Sequence, residues 1–406
     1  MKRELPIWGG RQVTAPLQPP RPRDAVRPTY CVWEVTLRCD LACAHCGSRA
    51  GKPRADELDT DQCLEVIRQL AAFGVKEVSL IGGEVYLRND WQRLVAAVRD
   101  AGMVCGIVSG GRGFTPERAR QARDAGVSGV SISVDGMEAA HDELRALRGS
   151  FRAAMNALEA LGAAGVRHAA NTQINQLSRR DLPRLLEALI ERGIYGWQPQ
   201  LTVAMGRAAD RPELLLQPFD LLEVMPLLAE LARRCSEAGV RFAPGNNVGY
   251  FGPLESELRR HVAQGHCQSC SAGRQTLGIE ANGDVKGCPS LPSADYVGGN
   301  LRDASLQAIW EGAAALRFTR DRDATELWGF CRDCYYAAEC LAGCSWTSHV
   351  LFGRRGNNPY CHHRALELRD RGVRERLVPN APAPGAPFDF GDFSLVQEPW
   401  PDAERP

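Results

Sequence analysis

The sequence predicts an α/β protein with a parallel sheet, followed by a smaller cysteine-rich domain. Between residues 30 and about 240, short apolar runs alternate with amphipathic stretches, and beyond residue 240 the helical stretches shorten while cysteines become dense. Alternating strand and helix patterns are typical of parallel sheets covered by helices. The predicted strands are 30–35, 77–81, 104–108, 129–134, 167–174 and 197–203, and the predicted helices are 59–73, 91–101, 116–125, 151–163, 182–192 and 218–238.

The connections between the predicted strands decide the shape of the sheet. Crossovers between parallel strands are right-handed, so successive β/α units curl a sheet toward a barrel. Six units rather than eight leave such a barrel partly open. A flat, doubly wound sheet is the alternative that the residues alone leave open.

The regions outside the α/β segment 30–240 differ in character. Residues 1–29 are rich in proline and arginine and lack periodicity, which predicts an extended N-terminal arm. The cysteine-rich domain is expected over residues 241–375. Residues 376–406 contain Pro-Asn-Ala-Pro-Ala-Pro-Gly-Ala-Pro and then acidic and aromatic residues, which predicts a Pro-rich tail without a core of its own.

Charge and hydropathy exclude several classes of partner. The 406-residue chain has 49 basic and 49 acidic residues and no formal net charge, which gives no overall field for nucleic acid or an anionic membrane. No apolar run reaches the roughly 18 residues of a membrane span, and the N-terminus lacks a signal-peptide core. We therefore expect a cytoplasmic protein that binds neither membranes nor nucleic acid.

The fifteen cysteines indicate metal binding. Without an export signal the thiols stay reduced, and clustered reduced cysteines usually bind metal rather than form disulfides. Cys31, Cys63, Cys105 and Cys235 stand apart within apolar or amphipathic stretches, so we expect them to be buried as small hydrophobic side chains. The other cysteines fall into groups that carry the functional argument.

The first group, Cys39, Cys43 and Cys46, follows the first predicted strand with the spacing C-x3-C-x2-C. Three thiolates on one short loop can hold three irons of a [4Fe–4S] cluster and leave the fourth iron open, whereas an electron-transfer cluster is ligated by four cysteines. A zinc knuckle is the alternative, but structural zinc sites usually have four ligands. The spacing therefore favours a cluster whose open iron binds a substrate or cofactor.

The second predicted strand ends in Gly82, Gly83 and Glu84. Two glycines let the backbone approach a ligand closely, and the backbone carbonyls and the Glu84 carboxylate can accept hydrogen bonds from an ammonium group. Reactive groups of β/α barrels gather at the carboxyl ends of the strands. We therefore expect this turn to lie beside the cysteine loop.

Together, the cysteine triplet and this turn resemble those of the radical S-adenosylmethionine (radical SAM) enzymes. The resemblance implies a partial (β/α)6 TIM-like barrel over residues 30–240. It also implies that SAM is cleaved reductively to methionine and a 5′-deoxyadenosyl radical, which removes hydrogen from an unactivated position. One departure is His45, since the family usually has an aromatic residue directly before the third cysteine.

The same resemblance implies roles for individual residues. Cys39, Cys43 and Cys46 ligate the catalytic cluster, and Gly82, Gly83 and Glu84 bind the methionyl amine. Arg145 or Arg148 lies near the SAM carboxylate, which suits the planar fork of an arginine. The remaining cofactor-binding residues are Ser133 and Asp135 near the ribose, Ser109 at the end of the third strand, and Met205 on the adenine side.

The C-terminal cysteines resemble the SPASM domain, which usually holds two auxiliary [4Fe–4S] clusters. The resemblance implies three clusters in total. The first auxiliary cluster would take Cys267, Cys270, Cys288 and Cys344, or would keep an open iron in place of one of these ligands. The second would take Cys331, Cys334, Cys340 and Cys361.

Radical SAM enzymes with a SPASM domain mostly modify peptides or proteins. The resemblance therefore implies a maturase that forms a thioether or carbon–carbon crosslink in a ribosomal precursor peptide. The alternatives are oxidation of a small metabolite or of a protein side chain, and a zinc-binding interaction module that does not cleave SAM. We expect a flavodoxin-like or ferredoxin-like electron donor. No leader-binding domain is evident, so leader binding would be supplied by a separate protein or by an exposed strand edge, or would not be needed.

Overall fold

The computed structural model describes residues 26–261 and 269–401. The predicted N-terminal arm over 1–29 and the predicted ligand Cys267 therefore fall largely or wholly outside the described residues. The strands are β1 Tyr30–Glu34, β2 Glu77–Ile81, β3 Val104–Ser109, β4 Gly129–Ser133, β5 His168–Ile174, β6 Gly196–Leu201, β7 Arg241–Phe242, β8 Thr276–Ile279, β9 Asp284–Lys286, β10 Val297–Asn300, β11 Val373–Ala381 and β12 Asp392–Pro399.

The helices of the first half alternate with these strands, as predicted, and those of the second half are short. They are α1 Thr60–Phe73, α2 Trp91–Asp100, α3 Pro116–Ala125, α4 Glu138–Leu144, α5 Ser150–Ala163, α6 Leu182–Glu191, α7 Leu221–Glu237, α8 Glu255–Leu258, α9 Ser293–Tyr296, α10 Leu306–Gly312, α11 Ala314–Asp321, α12 Phe330–Asp333, α13 Ala337–Cys340, α14 Ser345–Phe352 and α15 His362–Asp370.

Local capping explains where several helices begin and end. The Asp59 side chain accepts from the backbone N–H of Gln62, and the Gln62 side-chain oxygen accepts from the N–H of Asp59. This capping box starts α1. Gly74 ends the same helix in the left-handed region, where glycine is favoured. Thr115 caps α3, and Pro116 follows at its first turn.

One sheet runs through both halves of the described chain, in the order β10-β9-β8-β1-β2-β3-β4-β5-β6-β7. Strands β1 to β6 are parallel neighbours in chain order, which confirms the predicted α/β barrel architecture. The sheet extends beyond the six predicted strands, because β7 pairs with β6 and β8 pairs in parallel with β1. These additions are two to four residues long, too short for a strand pattern to identify.

The isolated cysteines lie in the core that this sheet forms with its helices. Cys31, Cys63, Cys105 and Cys235 are each at most 1% exposed and join the main hydrophobic cluster. The prediction that they are buried small side chains is confirmed. Among the described residues, none of the helices combines the length and the apolar character that crossing a bilayer requires.

The C-terminal segment differs from the predicted tail. Strands β11 and β12 form an antiparallel hairpin in which Leu377 pairs with Leu395. Leu377 and Phe393 are buried and join the main core, and Glu375 forms a buried ion pair with Arg364 at 2.7 Å. The hairpin thus packs on the hydrophobic core of the rest of the protein. Its prolines and many exposed residues give no strand pattern in the sequence.

Candidate active site

The cysteine loop between β1 and α1 is fixed by a residue that the sequence analysis did not identify. The Arg207 side chain donates from Nε to the carbonyl of Cys43 at 2.7 Å and from a terminal nitrogen to the carbonyl of Ala50 at 3.1 Å. The Arg207 backbone N–H donates to the carbonyl of Cys46 at 3.0 Å. The loop therefore keeps one conformation while its three thiols, at residues 39, 43 and 46, form no disulfide.

The glycine turn after β2 packs against the start of this loop. The N–H of Gly83 donates to the carbonyl of Thr36 at 2.7 Å, and that of Glu84 donates to the carbonyl of Arg38 at 2.8 Å. A Cβ on Gly82 would lie 2.3 Å from the Thr36 oxygen, and one on Gly83 would lie 2.3 Å from the Arg38 oxygen. The two backbone segments can approach this closely only because both residues are glycines. From the sequence, we expected the glycines to serve the approach of a ligand alone.

Glu84 presents a buried carboxylate beside the cysteine loop. Its Oε2 accepts from the N–H of Gly110 at 2.9 Å, whereas its Oε1 has no hydrogen-bond partner among the described residues. Burial raises the pKa of Glu84 to about 8, against the opposing effect of the Gly110 N–H. An ammonium group at Oε1 would satisfy this oxygen, so the residue fits an amine-bearing ligand.

Asp135, just beyond β4, lies in a buried network of opposite charge. Its Oδ2 lies 2.6 Å from a terminal nitrogen of Arg145 and 3.3 Å from Nε2 of His45, and its Oδ1 accepts from the N–H of Gln173 at 2.9 Å. Burial would raise the pKa of Asp135, but the charge of Arg145 and the hydrogen bond from His45 outweigh it and hold that pKa well below its usual value. His45 thus connects the cysteine loop to β4, a contact that the sequence did not reveal.

The two arginine candidates lie in different surroundings. Arg145 is buried, pairs with Asp135 and donates to Sγ of Cys43 at 3.6 Å. Arg148 is exposed. The structure therefore brings Arg145 to the cysteine loop and leaves Arg148 at the surface.

The other predicted cofactor residues lie at the same end of the sheet. The Ser109 hydroxyl accepts from the N–H of Gly111 at 2.9 Å, and Ser133, the last residue of β4, lies opposite Asn171 of β5. Met205 is buried, and its Sδ lies 3.5 Å from the position of a Cβ on Gly47. The roles of these residues toward SAM stay predictions.

The described C-terminal cysteines lie near one another, and their division into two ligand sets stays a prediction. Burial raises the pKa of Cys288 to about 12, and the neighbouring Cys270 and Cys344 add to the rise. In the second group, burial raises the pKa of Cys361 to about 12, with additions from the nearby Cys331 and Cys334.

Cys340, the remaining cysteine of the second predicted set, also lies near other C-terminal cysteines. Cys340 packs beside Tyr250 together with Cys344 and Cys361. In the described part of the chain, no three His, Cys, Asp or Glu side chains converge as ligands of a single metal ion.

Comparison with known proteins identifies the family. A model of the radical SAM superfamily matches residues 33–192, and a model of the iron–sulfur cluster-binding SPASM domain matches residues 270–335. The mycofactocin maturase MftC of Mycobacterium tuberculosis is 30% identical over 321 residues, which cover 78% of each chain. The chain belongs to the radical SAM superfamily. Membership implies [4Fe–4S] clusters and SAM binding, and it confirms the resemblance stated from the cysteine motifs.

Relatives of this radical SAM protein have more than one activity. The AdoMet-dependent heme synthase of Methanosarcina barkeri is 28% identical over 349 residues, covering 83% of this chain and 97% of the relative. Among solved structures, Streptococcus suis SuiB bound to S-adenosylmethionine matches with a TM-score of 0.64 at 16% identity, covering 83% of this chain and 76% of SuiB. The structural match shows a shared fold.

Proposed function

We propose that this radical SAM protein is a peptide maturase that installs an oxidative crosslink, a thioether or carbon–carbon bond, in a ribosomal precursor peptide. The observation that carries its radical chemistry is the unpartnered Oε1 of buried Glu84 beside a loop of three free thiols. The similarity to a maturase over 78% of both chains supports the substrate class.

The residues at the cysteine loop fit the cofactors that this function requires. Cys39, Cys43 and Cys46 would hold a [4Fe–4S] cluster, and Glu84 and the turn at Gly82 and Gly83 would hold the SAM amine. When bound, cluster and SAM supply a 5′-deoxyadenosyl radical that abstracts hydrogen.

The surrounding chain has supporting tasks. Arg207 fixes the loop through two of its carbonyls, and Asp135 holds Arg145 and His45 against the same loop. We assign the ribose side to Ser133 and Asp135, and the adenine side to Met205.

We also propose two auxiliary clusters, held by the cysteine groups of the SPASM half. Cys270, Cys288 and Cys344, completed by Cys267, form the first set, and Cys331, Cys334, Cys340 and Cys361 form the second. Auxiliary clusters can accept an electron from a substrate radical, which makes the net change a two-electron oxidation. The proximity of Cys288 to Cys270 and Cys344, and of Cys361 to Cys331 and Cys334, supports these sets.

The inner face of the sheet supports a peptide rather than a carboxylate-rich substrate. Asn171 pairs with Gln198, and Gln173 pairs with Gln200, on the face opposite buried Trp197. Strands β4 to β6 contain no lysine or arginine. The side-chain amides of asparagine and glutamine can form hydrogen bonds with the amide groups of a peptide. A carboxylate-bearing tetrapyrrole such as heme would instead be bound best by cationic side chains.

The second candidate is oxidation of a small metabolite. The similarity to a heme synthase over 97% of that relative's length favours it. The two candidates differ in product: a peptide maturase changes the mass of a gene-encoded peptide, whereas a metabolite oxidase leaves every peptide unchanged.

A reduced flavodoxin or ferredoxin is our proposed electron donor. A cleft of about 500 Å³ opens beside Cys39 and includes Arg49 and Arg207 in its lining. Arg38 and Lys52 flank the cleft lining at Cys39 and Gly51 and are exposed. These two exposed bases, beside Asp40 in the lining, suit a contact with acidic groups of a carrier protein. We further propose a separate leader-binding protein and a cytoplasmic location, where thiols stay reduced.

Co-expression with a short peptide encoded beside the gene tests the proposed function. We expect the peptide to lose two hydrogens per crosslink, measured by mass spectrometry, and to remain unmodified with the Cys39→Ala variant. Cys63→Ala, which removes a buried cysteine away from the loop, is the matched control and should retain activity. An unchanged peptide mass, together with SAM cleavage stimulated by a metabolite extract, would favour the second candidate.

A further inference from the structure

The loop that joins β11 to β12, residues 382–391, lies against the cysteine loop rather than apart from the protein. The N–H of Phe388 donates to the carbonyl of Gly47 at 3.2 Å, and the N–H of Gly206 donates to the carbonyl of Asp389 at 2.8 Å. Phe390 forms an isolated antiparallel bridge with Met205. The chain thus returns, more than 300 residues later, to the residues that surround the proposed SAM site.

Phe388 is buried at the point where the sheet is open. Its ring packs with Val203, Met205 and Val350, and Nζ of Lys286 lies 3.9 Å from the ring centroid. Lys286 belongs to β9 near one end of the sheet, whereas Val203 and Met205 follow β6 near the other end. One aromatic side chain therefore bridges the gap between the two ends at the edge that carries the cysteine loop.

The backbone conformation of Phe388 indicates that its side chain has a specific role. Its φ of 59° lies in the left-handed region, which a phenylalanine rarely adopts. Such a conformation persists only where the surroundings determine it, and it often marks a functional position. Burial of the ring in the gap holds the residue in this conformation.

Asp389 anchors the same loop to the cysteine loop. Its Oδ1 accepts from Nε of Arg49 at 2.7 Å, and its Oδ2 accepts from the N–H of Ala386 at 2.9 Å. Arg49 comes three residues after Cys46 and also donates to the carbonyl of Gly206 at 3.1 Å. Asp389 thereby connects three segments: its own loop, the cysteine loop and the segment after β6.

We propose that residues 382–391 form the closing wall of the radical cavity, with Phe388 filling the gap in the sheet and Asp389 acting as a positioning residue for the cysteine loop. The wall closes the gap in the sheet, so that dioxygen and bulk water do not reach the cluster through it, and it keeps the radical beside its substrate. The inference rests on the radical chemistry of the proposed function, but it does not depend on a peptide substrate.

The test measures how fast air destroys the SAM-binding cluster. The reconstituted protein is exposed to air for timed intervals, reduced anaerobically with SAM, and the SAM-sensitive EPR signal is quantified. We expect Phe388→Ala to lose this signal severalfold faster than the wild type, because the mutation opens the gap. Val396→Ala, on an exposed site of the same hairpin, is the matched control and should lose it at the wild-type rate.

Two further variants distinguish the effect of the wall on the cluster from a general effect on folding. Phe388→Leu refills most of the gap and should restore most of the protection. Asp389→Asn keeps its shape but loses one of the two carboxylate charges that hold Arg49, so it should lose the signal faster. Thermal unfolding is followed in parallel. Equal loss rates in wild type, Phe388→Ala and Asp389→Asn would overturn the wall, whereas a wild type without any SAM-sensitive signal would overturn the proposed function itself.

Discussion

Two carboxylates beside the cysteine loop differ because of their partners. Glu84 is buried with one oxygen unpartnered, and burial raises its pKa to about 8. Asp135 is equally buried, but Arg145 and His45 hold its pKa well below the usual value despite the effect of burial. Glu84 therefore has an oxygen open to a cationic ligand, whereas Asp135 is already paired with Arg145 and with His45.

The raised pKa of Glu84 predicts a pH dependence of stability. Its folded pKa, about 8, exceeds the unfolded value of 4.5, so its stabilising effect is complete below pH 4.5 and is lost as the pH rises toward 8. For the cluster-free protein, we expect Glu84→Gln to remove up to about 1.4 kcal/mol per pH unit of this slope. Urea titrations between pH 5 and 8 measure it.

The control for this prediction is an exposed glutamate. Glu230→Gln, on the surface of α7, should leave the slope as it is in the wild type. An identical slope in wild type and Glu84→Gln would contradict the account of Glu84. The same variant should bind SAM more weakly in isothermal titration, because a carboxamide cannot ionise to the carboxylate that pairs with the ammonium group.

The buried pair of Asp135 and Arg145 predicts a large effect on stability. Asp135→Asn leaves a buried guanidinium without a carboxylate, which typically costs about 3–5 kcal/mol. We expect a loss of this size in the free energy of unfolding from urea titration. Asp124→Asn removes an exposed pair with Arg123 and should cost less than about 1 kcal/mol. Equal effects of the two substitutions would show that the Asp135 network does not stabilise the fold.

At the level of elements, the site depends on the contact between the cysteine loop and the glycine turn. Gly83→Ala would place a Cβ 2.3 Å from the carbonyl oxygen of Arg38. The backbone must then shift, with a typical cost of about 1–3 kcal/mol. We expect this variant to fold but to retain less iron per chain after anaerobic reconstitution.

Gly312→Ala is the matched control for this element. Nothing lies within 4 Å of a Cβ at this position, which ends α10 away from the loop. The control should retain the wild-type iron content. If Gly83→Ala retained as much iron as Gly312→Ala, the close contact would not determine the conformation of the loop.

The elements of the first half could be predicted because their patterns are local. Each of the six predicted strands lies within two residues of an observed one, since apolar runs and flanking caps lie close together in the sequence. Strands β7 to β12 were not predicted. β8 depends on a partner distant in sequence, β1, whereas β9 to β12 form antiparallel pairs with near neighbours. Their short or proline-containing segments carry no strand pattern of their own.

For the site too, the sequence predicted the local motifs but not the contacts between distant residues. The three cysteines and the turn from Gly82 to Glu84 are motifs of contiguous residues, and the family comparison supports them. His45 of the cysteine loop contacts Asp135, 90 residues away in the sequence. Arg207 and Asp389 contact Cys43 and Arg49 across gaps of up to 340 residues. Only a folded chain brings such residues together.

At the level of the whole molecule, the two halves share one sheet and one buried charge network. Arg54 lies 3.2 Å from Oε1 of Glu34, at the end of β1, and 2.8 Å from Oε2 of Glu280, just after β8. Lys286 lies 2.7 Å from the other oxygen of Glu280. Burial raises the pKa of Glu34 to about 7, with Arg54 opposing the rise. The network therefore couples the barrel to the SPASM half.

This coupling predicts that both halves unfold together. Arg54→Leu leaves two buried carboxylates with one remaining cation, and we expect a loss of about 3–5 kcal/mol. Differential scanning calorimetry should show one transition at a lower temperature. Lys52→Leu, which changes an exposed neighbour, should leave the transition unchanged. Two separated transitions in the wild type would show that the halves are independent.

The central claim is that one chain holds a SAM-cleaving cluster and two auxiliary clusters. The most direct test is the content of iron, sulfide and zinc per chain after anaerobic purification and reconstitution. The account predicts about twelve iron and twelve sulfide ions, falling to about eight of each when Cys39, Cys43 and Cys46 are replaced together by alanine. About four of each, with zinc present, would mean that the C-terminal cysteines form a structural zinc site and would contradict the account.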